Sequence, residues 1–145
     1  MQQPLMMVSV KCEYALRALL DLALEGNGNR PVRIADIAQR QRIPQKFLEL
    51  ILAELKRYGY VESKRGAEGG YMLARPAELI NVGQVVRSVE GARSGSGADN
   101  SDSPLAAMWQ RVDNNVAAVI DRTTFAELAR EYQETQSRYV PNWEI

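Results

Sequence analysis

The stretch KRGAEGGYML, Lys64 to Leu73, sets two cations before three glycines in five positions and ends in an aromatic-led apolar run. A backbone this permissive beside positive charge can cradle a phosphate, close a hairpin, or do both. YVESKR (60–65) before the glycines and YMLAR (71–75) after them have strand character. The glycines therefore read as the tip of a β-hairpin. A nucleotide phosphate loop is the rival. Such loops lie between a strand and a helix and carry GxGxxG or GK[ST], and RGAEGGY fits neither.

What precedes the hairpin gives it a context. RIADIAQRQ (33–41) is a short helix with Ile34, Ile37 and Ala38 on one face. RIP (42–44) breaks it, and Pro44 suits the first turn of a new helix. PQKFLELILAELKRYG (44–59) is that helix, with Phe47, Leu48, Ile51, Leu52 and Leu55 as its buried stripe and Gly59 as its stop. Gln45, Lys46, Glu49, Lys56 and Arg57 fall mostly outside the stripe. Two short helices with a short break have helix-turn-helix spacing, which an ordinary helical hairpin in a core also has. The basic hairpin directly afterwards separates the two readings. Helix-turn-helix followed by a glycine-tipped hairpin is a winged helix. Gly66, Gly69 and Gly70 let the tip turn tightly and approach DNA phosphates. Arg65 or Lys64 then reaches a minor groove, whose negative potential attracts cations.

Outward from this centre, VSVKCEYALRALLDLALEG (8–26) is a helix with Ser9 as N-cap and Gly26 as stop. Cys12, Leu16, Leu19 and Ala23 share its stripe, widened by Leu20 and Leu24, so Cys12 reads as a small buried hydrophobe. NVGQVVRSVEG (81–91) is another helix, with Asn81 as N-cap. ARSGSGADNSDSP (92–104) is a Gly/Ser/Asp linker, and PLAAMWQRVDNNVAAVID (104–121) is a long helix. Its stripe of Leu105, Met108, Trp109, Val112, Val116, Val119 and Ile120 lies outside the winged helix and needs a partner. A second subunit across a symmetry axis is one partner, and the chain's own domain is the other. Thr124 to Glu127 is a capping box opening a last helix to about Gln133.

Composition narrows the chemistry. The 145 residues suit one domain with an appendage, and 18 basic residues balance 18 acidic ones. The balance hides an asymmetry: from Arg30 to Arg75 ten Lys/Arg face five acids, so that segment is +5 and the remainder −5. A basic segment in a neutral chain points to a polyanion on one face, or to a solvated cationic surface. One cysteine and no histidine leave no intrachain disulfide, no Cys/His zinc site and no histidine-dependent catalysis. No nucleophile–base set or metal-ligand cluster is apparent, so the chain is not expected to be an enzyme. With no apolar run long enough for a membrane span and no signal-peptide pattern at MQQPLMMVSVK, a cytoplasmic protein is expected.

KCEYALRALLDLA, IADIAQRQRIPQKFLELIL, LKRYGYVESKRGAEGGYML and INVGQVVRSVEG stand in an order and spacing that resemble the Rrf2 family of bacterial transcription regulators. The likeness covers about residues 8–91 closely, and MWQRV and TTFAELA extend it. It implies a homodimeric winged-helix repressor or activator binding double-stranded DNA, with the long C-terminal helices crossing between subunits. It divides the chain into a DNA-binding domain (8–91), a loop (92–104), dimerisation helices (105–134) and a tail (135–145). It places Gln45, Lys46 and Glu49 at the exposed start of the recognition helix. Glutamine can read adenine and glutamate can accept from cytosine N4. Arg65 is the minor-groove residue, and Arg33, Arg40, Arg42, Lys56, Arg57 and Lys64 are phosphate candidates.

Several members of the family hold iron–sulfur clusters through three cysteines in the loop before the long helix. Here that loop holds serines and aspartates but no cysteine, so no cluster and no other cofactor are expected. The cysteine-free loop, the GAxGGY wing and the aromatic tail ending in isoleucine are similar to a cluster-free branch, the repressors of cysteine metabolism. That likeness implies O-acetylserine sulfhydrylase (cysteine synthase) as a partner captured by the tail through Tyr139, Trp143 and Ile145. Read alone, the tail is equally a disordered end. Two further readings stay open: a winged helix acting only as a protein-interaction module through its tail, and a redox-responsive regulator of other genes.

Overall fold

The computed structural model describes residues 8–26, 30–91 and 103–138. Helix α1 (Val10–Glu25) starts at Ser9, whose Oγ accepts from the Cys12 amide at 3.0 Å. The Ser9 amide and hydroxyl in turn donate to the Glu90 carboxylate at 2.8 and 3.0 Å, which ties the start of α1 to the end of a later helix. Helices or strands pack around α1 on most sides, so its buried set is broader than one stripe. Cys12, Ala15, Ala18, Leu19 and Leu22 are buried. Leu16, Leu20, Ala23 and Leu24, expected on the stripe, are only half-buried. Ala15 and Ala18 instead lie fully buried on the face between Cys12, Leu19 and Leu22.

Helices α2 (Ile34–Gln41) and α3 (Gln45–Arg57) follow, joined by the expected break. Ile37 and Ala38 of α2 and Leu48, Ile51, Leu52 and Leu55 of α3 point into the core with α1. Phe47 is half-buried and meets Tyr14 edge-on, ring centroids 5.5 Å apart. Strands β1 (Val61–Lys64) and β2 (Gly70–Leu73) form the antiparallel hairpin, with Val61 opposite Leu73 and Lys64 opposite Gly70. Val32 adds a bridge to its outer edge, exchanging two 2.8 Å hydrogen bonds with Tyr71. The hairpin is thereby joined on one side to α3 by chain and on the other to the segment entering α2.

After a single 3-10 turn at Ala77–Leu79, helix α4 (Val82–Glu90) begins with a capping box: Asn81 Oδ1 accepts from the Gln84 amide, and Gln84 Oε1 from that of Asn81. Helix α5 (Pro104–Arg122) crosses α4 at Gly83. A Cβ at position 83 would meet the Asp121 carboxylate, so a side chain there would push that carboxylate aside. Arg87 clamps the same carboxylate through Nη1 and Nη2 at 2.8 and 2.9 Å, which holds Asp121 below the usual carboxylate range.

Helix α6 (Phe125–Arg138) opens with the expected Thr124–Glu127 capping box and places Phe125 in the core. It runs along α1 and continues past Gln133 to Arg138. No glycine or proline interrupts residues 134–138, and nothing local stops the helix there. Among the described residues, no helix is long and apolar enough to cross a membrane.

Candidate nucleic-acid interface

The outward face of α3 is built by exclusion. Its four buried leucines and isoleucine turn one side to α1, and Gln45, Lys46, Glu49, Leu50, Ala53, Lys56 and Arg57 are left on the other. Among the described residues, the side chains of Gln45, Lys46 and Glu49 make no hydrogen bond or ion pair, so their donors and acceptor are available to a ligand.

The wing tip is shaped by glycine. Gly66 has φ +110°, a region that L side chains rarely adopt, and its carbonyl accepts from the Gly69 amide at 3.0 Å. Gly70 lies against the Val32 carbonyl so closely that a Cβ would collide with it. Lys64 and Arg65 project beside this turn, both exposed. Two tethers fix the wing against the helices. Lys56 Nζ donates to Ser63 Oγ at 2.8 Å, and Arg33 Nη2 donates to the Ala67 carbonyl at 3.3 Å.

The cations thus divide by what holds them. Arg42, Lys46, Lys64 and Arg65 are exposed and take no protein acceptor among the described residues. Arg57 stacks over Tyr58, with its guanidinium carbon 5.4 Å from the ring centre. Arg33 and Lys56 brace the wing while staying exposed. Arg40, a phosphate candidate in the sequence, stays partly exposed but is paired with an acid of α1. Its Nε and Nη2 donate to the two oxygens of buried Asp21, each at 3.0 Å, and Gln41 Nε2 adds a third bond at 3.1 Å. The pairing holds the Arg40 guanidinium above its usual pKa. The pairing ties α2 to α1.

Arg42 sits in the turn between α2 and α3 with φ 56° and ψ 50°, and it is the one non-glycine residue among those described with positive φ. Glycine is the usual occupant of such a conformation. Leu50 and the strain at Arg42 were not visible in the sequence pattern. Both depend on how α3 packs.

Part of the stripe on α5 is left uncovered by the described residues. Leu105, Trp109, Val112 and Val119 are exposed, with Trp109 at 59%, while Met108, Val116 and Ile120 are half-buried. Leu105, Trp109, Val112, Val116 and Val119 recur at alternating spacings of four and three, the seam of a helix that packs along another helix. The tail residues Tyr139, Trp143 and Ile145 and loop residues 92–102 lie outside the described residues.

A helix-turn-helix braced to a glycine-tipped wing is the architecture of a winged-helix regulator. The chain belongs to the Rrf2 family: the family model, described as an iron-dependent transcriptional regulator, matches residues 8–131. The chain is 35% identical to the HTH-type transcriptional regulator IscR of Cereibacter sphaeroides over 86% of its own length and 88% of that protein's. It is 32% identical to the HTH-type transcriptional regulator CymR of Bacillus subtilis, over 93% and 98% of the two chains. The solved structure of that CymR, described as the global cysteine regulator, superposes with a TM-score of 0.79 over 88% of this chain and 98% of the other. These relatives are regulators and not enzymes.

The family description implies iron, which needs a set of donor side chains. The sole thiol, Cys12, is fully buried in the core between α1 and its neighbours, and burial pushes it up to about 12. Among the described residues, no three His, Cys, Asp or Glu side chains gather as ligands. The loop 92–104 carries neither cysteine nor histidine. These residues do not fit an iron–sulfur cluster held by thiolates.

Proposed function

We propose that this protein is a homodimeric, sequence-specific DNA-binding repressor that works without a cluster. The observation that carries the reading is the outward face of α3, where Gln45, Lys46 and Glu49 have no partner among the described residues, braced through Lys56 and Arg33 to a wing bearing exposed Lys64 and Arg65. Gln45 and Glu49 supply a bidentate amide and an acceptor for base edges in the major groove. Arg42, Lys46, Arg57 and Lys64 supply phosphate contacts, and Arg65 enters the minor groove with Gly66, Gly69 and Gly70 letting the backbone close on the duplex. In this division, residues 8–91 bind DNA and residues 105–134 join two subunits. The exposed apolar seam of α5 suits a two-fold interface, and burying it is worth on the order of 1.5–3 kcal/mol per large side chain.

The likeness to CymR and the thiol-free loop support target genes in cysteine metabolism. The same likeness supports O-acetylserine sulfhydrylase as a partner of the tail at Tyr139, Trp143 and Ile145. The test is selection from a random duplex pool with the full chain, alongside sedimentation equilibrium. A two-fold symmetric enriched site and a dimer mass are expected. A pool that stays random overturns the repressor. Addition of the sulfhydrylase should tighten binding, and deletion of Ile145 should abolish that gain. An unchanged affinity would leave the repressor and remove the partner.

A further inference from the structure

Helix α3 carries one large apolar side chain that the fold leaves out. Leu50 is 70% exposed, although the four other leucines and isoleucines from Leu48 to Leu55 are buried. A single exposed leucine is ordinary on most surfaces. This one stands at the middle of the face that the helix-turn-helix presents. At helical spacing it shares a row with Lys46 four residues before it, Ala53 three after it and Arg57 seven after it. The row is therefore cationic at both ends and apolar at the centre, and Ala53 is too small to hold an apposed surface away from the backbone.

That pattern complements a major groove. The cationic ends match the two phosphate ridges, and from Lys46 to Arg57 the helix rises about 16 Å, enough to span a groove about 12 Å wide. On the groove floor the one apolar group is the C5-methyl of thymine. A partner protein with an apolar patch would meet Lys46, Lys56 and Arg57 around it, and a duplex satisfies both features at once. We propose that Leu50, with Ala53 beside it, reads a thymine methyl in the major groove and so sets sequence preference at that position. The neighbouring Glu49 carboxylate accepts from cytosine N4, so the thymine lies beside a C·G pair. The proposal rests on the DNA-binding reading above.

Deoxyuridine differs from thymidine only by the missing methyl, which makes it the direct probe. Each thymine of the duplex selected by the full chain is replaced in turn by deoxyuridine, and affinity is read by fluorescence anisotropy. One position per half-site should lose about fourfold, the factor for one buried methyl group. The Leu50→Ala protein should bind more weakly and no longer distinguish thymine from uracil at that position. Its thermal melting should match the parent, because Leu50 is exposed. Equal affinity at every uracil position overturns the inference while leaving the regulator intact. So does a Leu50→Ala protein with undiminished discrimination. A pool that enriches no sequence overturns both together.

Discussion

Arg40 grips the buried carboxylate of Asp21 with Nε on Oδ1 and Nη2 on Oδ2, both at 3.0 Å. The acid is 2% exposed, so this pairing and the Gln41 amide supply its hydrogen bonds in place of water. Replacing it removes three charge-assisted bonds between α1 and α2 and leaves the Arg40 guanidinium only the longer ion pair with Glu25, at 3.8 Å. Asp21→Ala should destabilise the fold by about 2–3 kcal/mol, read as a lower urea midpoint with an unchanged slope. Arg40→Gln should also lower stability and leave the salt dependence of DNA binding unchanged. A drop of one unit in that dependence would return Arg40 to the phosphate contacts.

Arg42 keeps an arginine where the backbone favours glycine. A left-handed residue with a Cβ costs about 1–2 kcal/mol, partly offset by the entropy glycine adds to the unfolded chain. Arg42→Gly should therefore raise stability by about 0.5–1 kcal/mol and weaken binding to every duplex alike. Thermal melting and anisotropy on the same preparation check both directions. A more stable protein with undiminished affinity would mean that Arg42 touches no phosphate.

Cys12 has no access to solvent, and its thiol is pushed up to about 12 from 9.0, first by burial and then by the nearby charges of Glu90 and Glu13. The native state holds this proton more tightly than the unfolded chain does. The stabilisation is complete below about pH 9 and is lost as pH rises toward 12. Cys12→Ala should flatten that alkaline decline. In the native protein the thiol should react with Ellman's reagent only as fast as the chain opens. Rapid labelling at neutral pH would show an accessible thiolate and revive a redox role.

The exposed seam of α5 predicts a separation of folding from assembly. Trp109→Glu puts a charge at its centre without touching the core of the protomer. Sedimentation equilibrium should show a shift from dimer toward monomer, while circular dichroism keeps its helical signal. A dimer of undiminished stability would place the subunit contact elsewhere.

Much of this fold is legible because its punctuation is chemical. Pro44, Gly59 and the glycines of the wing mark boundaries that backbone geometry enforces, and Ser9, Asn81 and Thr124 cap helices through bonds the side chains dictate. Facing is harder to read than boundaries. In FLELILAEL seven of nine residues are apolar, and local periodicity does not tell which of them solvent will see. Packing against α1 decides it, and Leu50 is left out. Asp21 within LDLAL carries no local sign that an arginine nineteen residues later will bury it. The stripe on α5 is legible as apolar surface in need of a partner, and Leu105, Trp109, Val112 and Val119 stay exposed among the described residues.

The measurement that bears most directly on the DNA-binding face is a salt titration of the selected duplex by anisotropy, with the parent protein and with Lys46→Ala and Arg65→Ala. The logarithm of affinity should fall linearly with the logarithm of salt concentration. Lys46→Ala should reduce that slope by about one unit, and Arg65→Ala should reduce it while also relaxing preference outside the α3 half-site. Affinities that ignore salt, or that are unchanged in both variants, would contradict the assignment of α3 and the wing as the face that holds DNA.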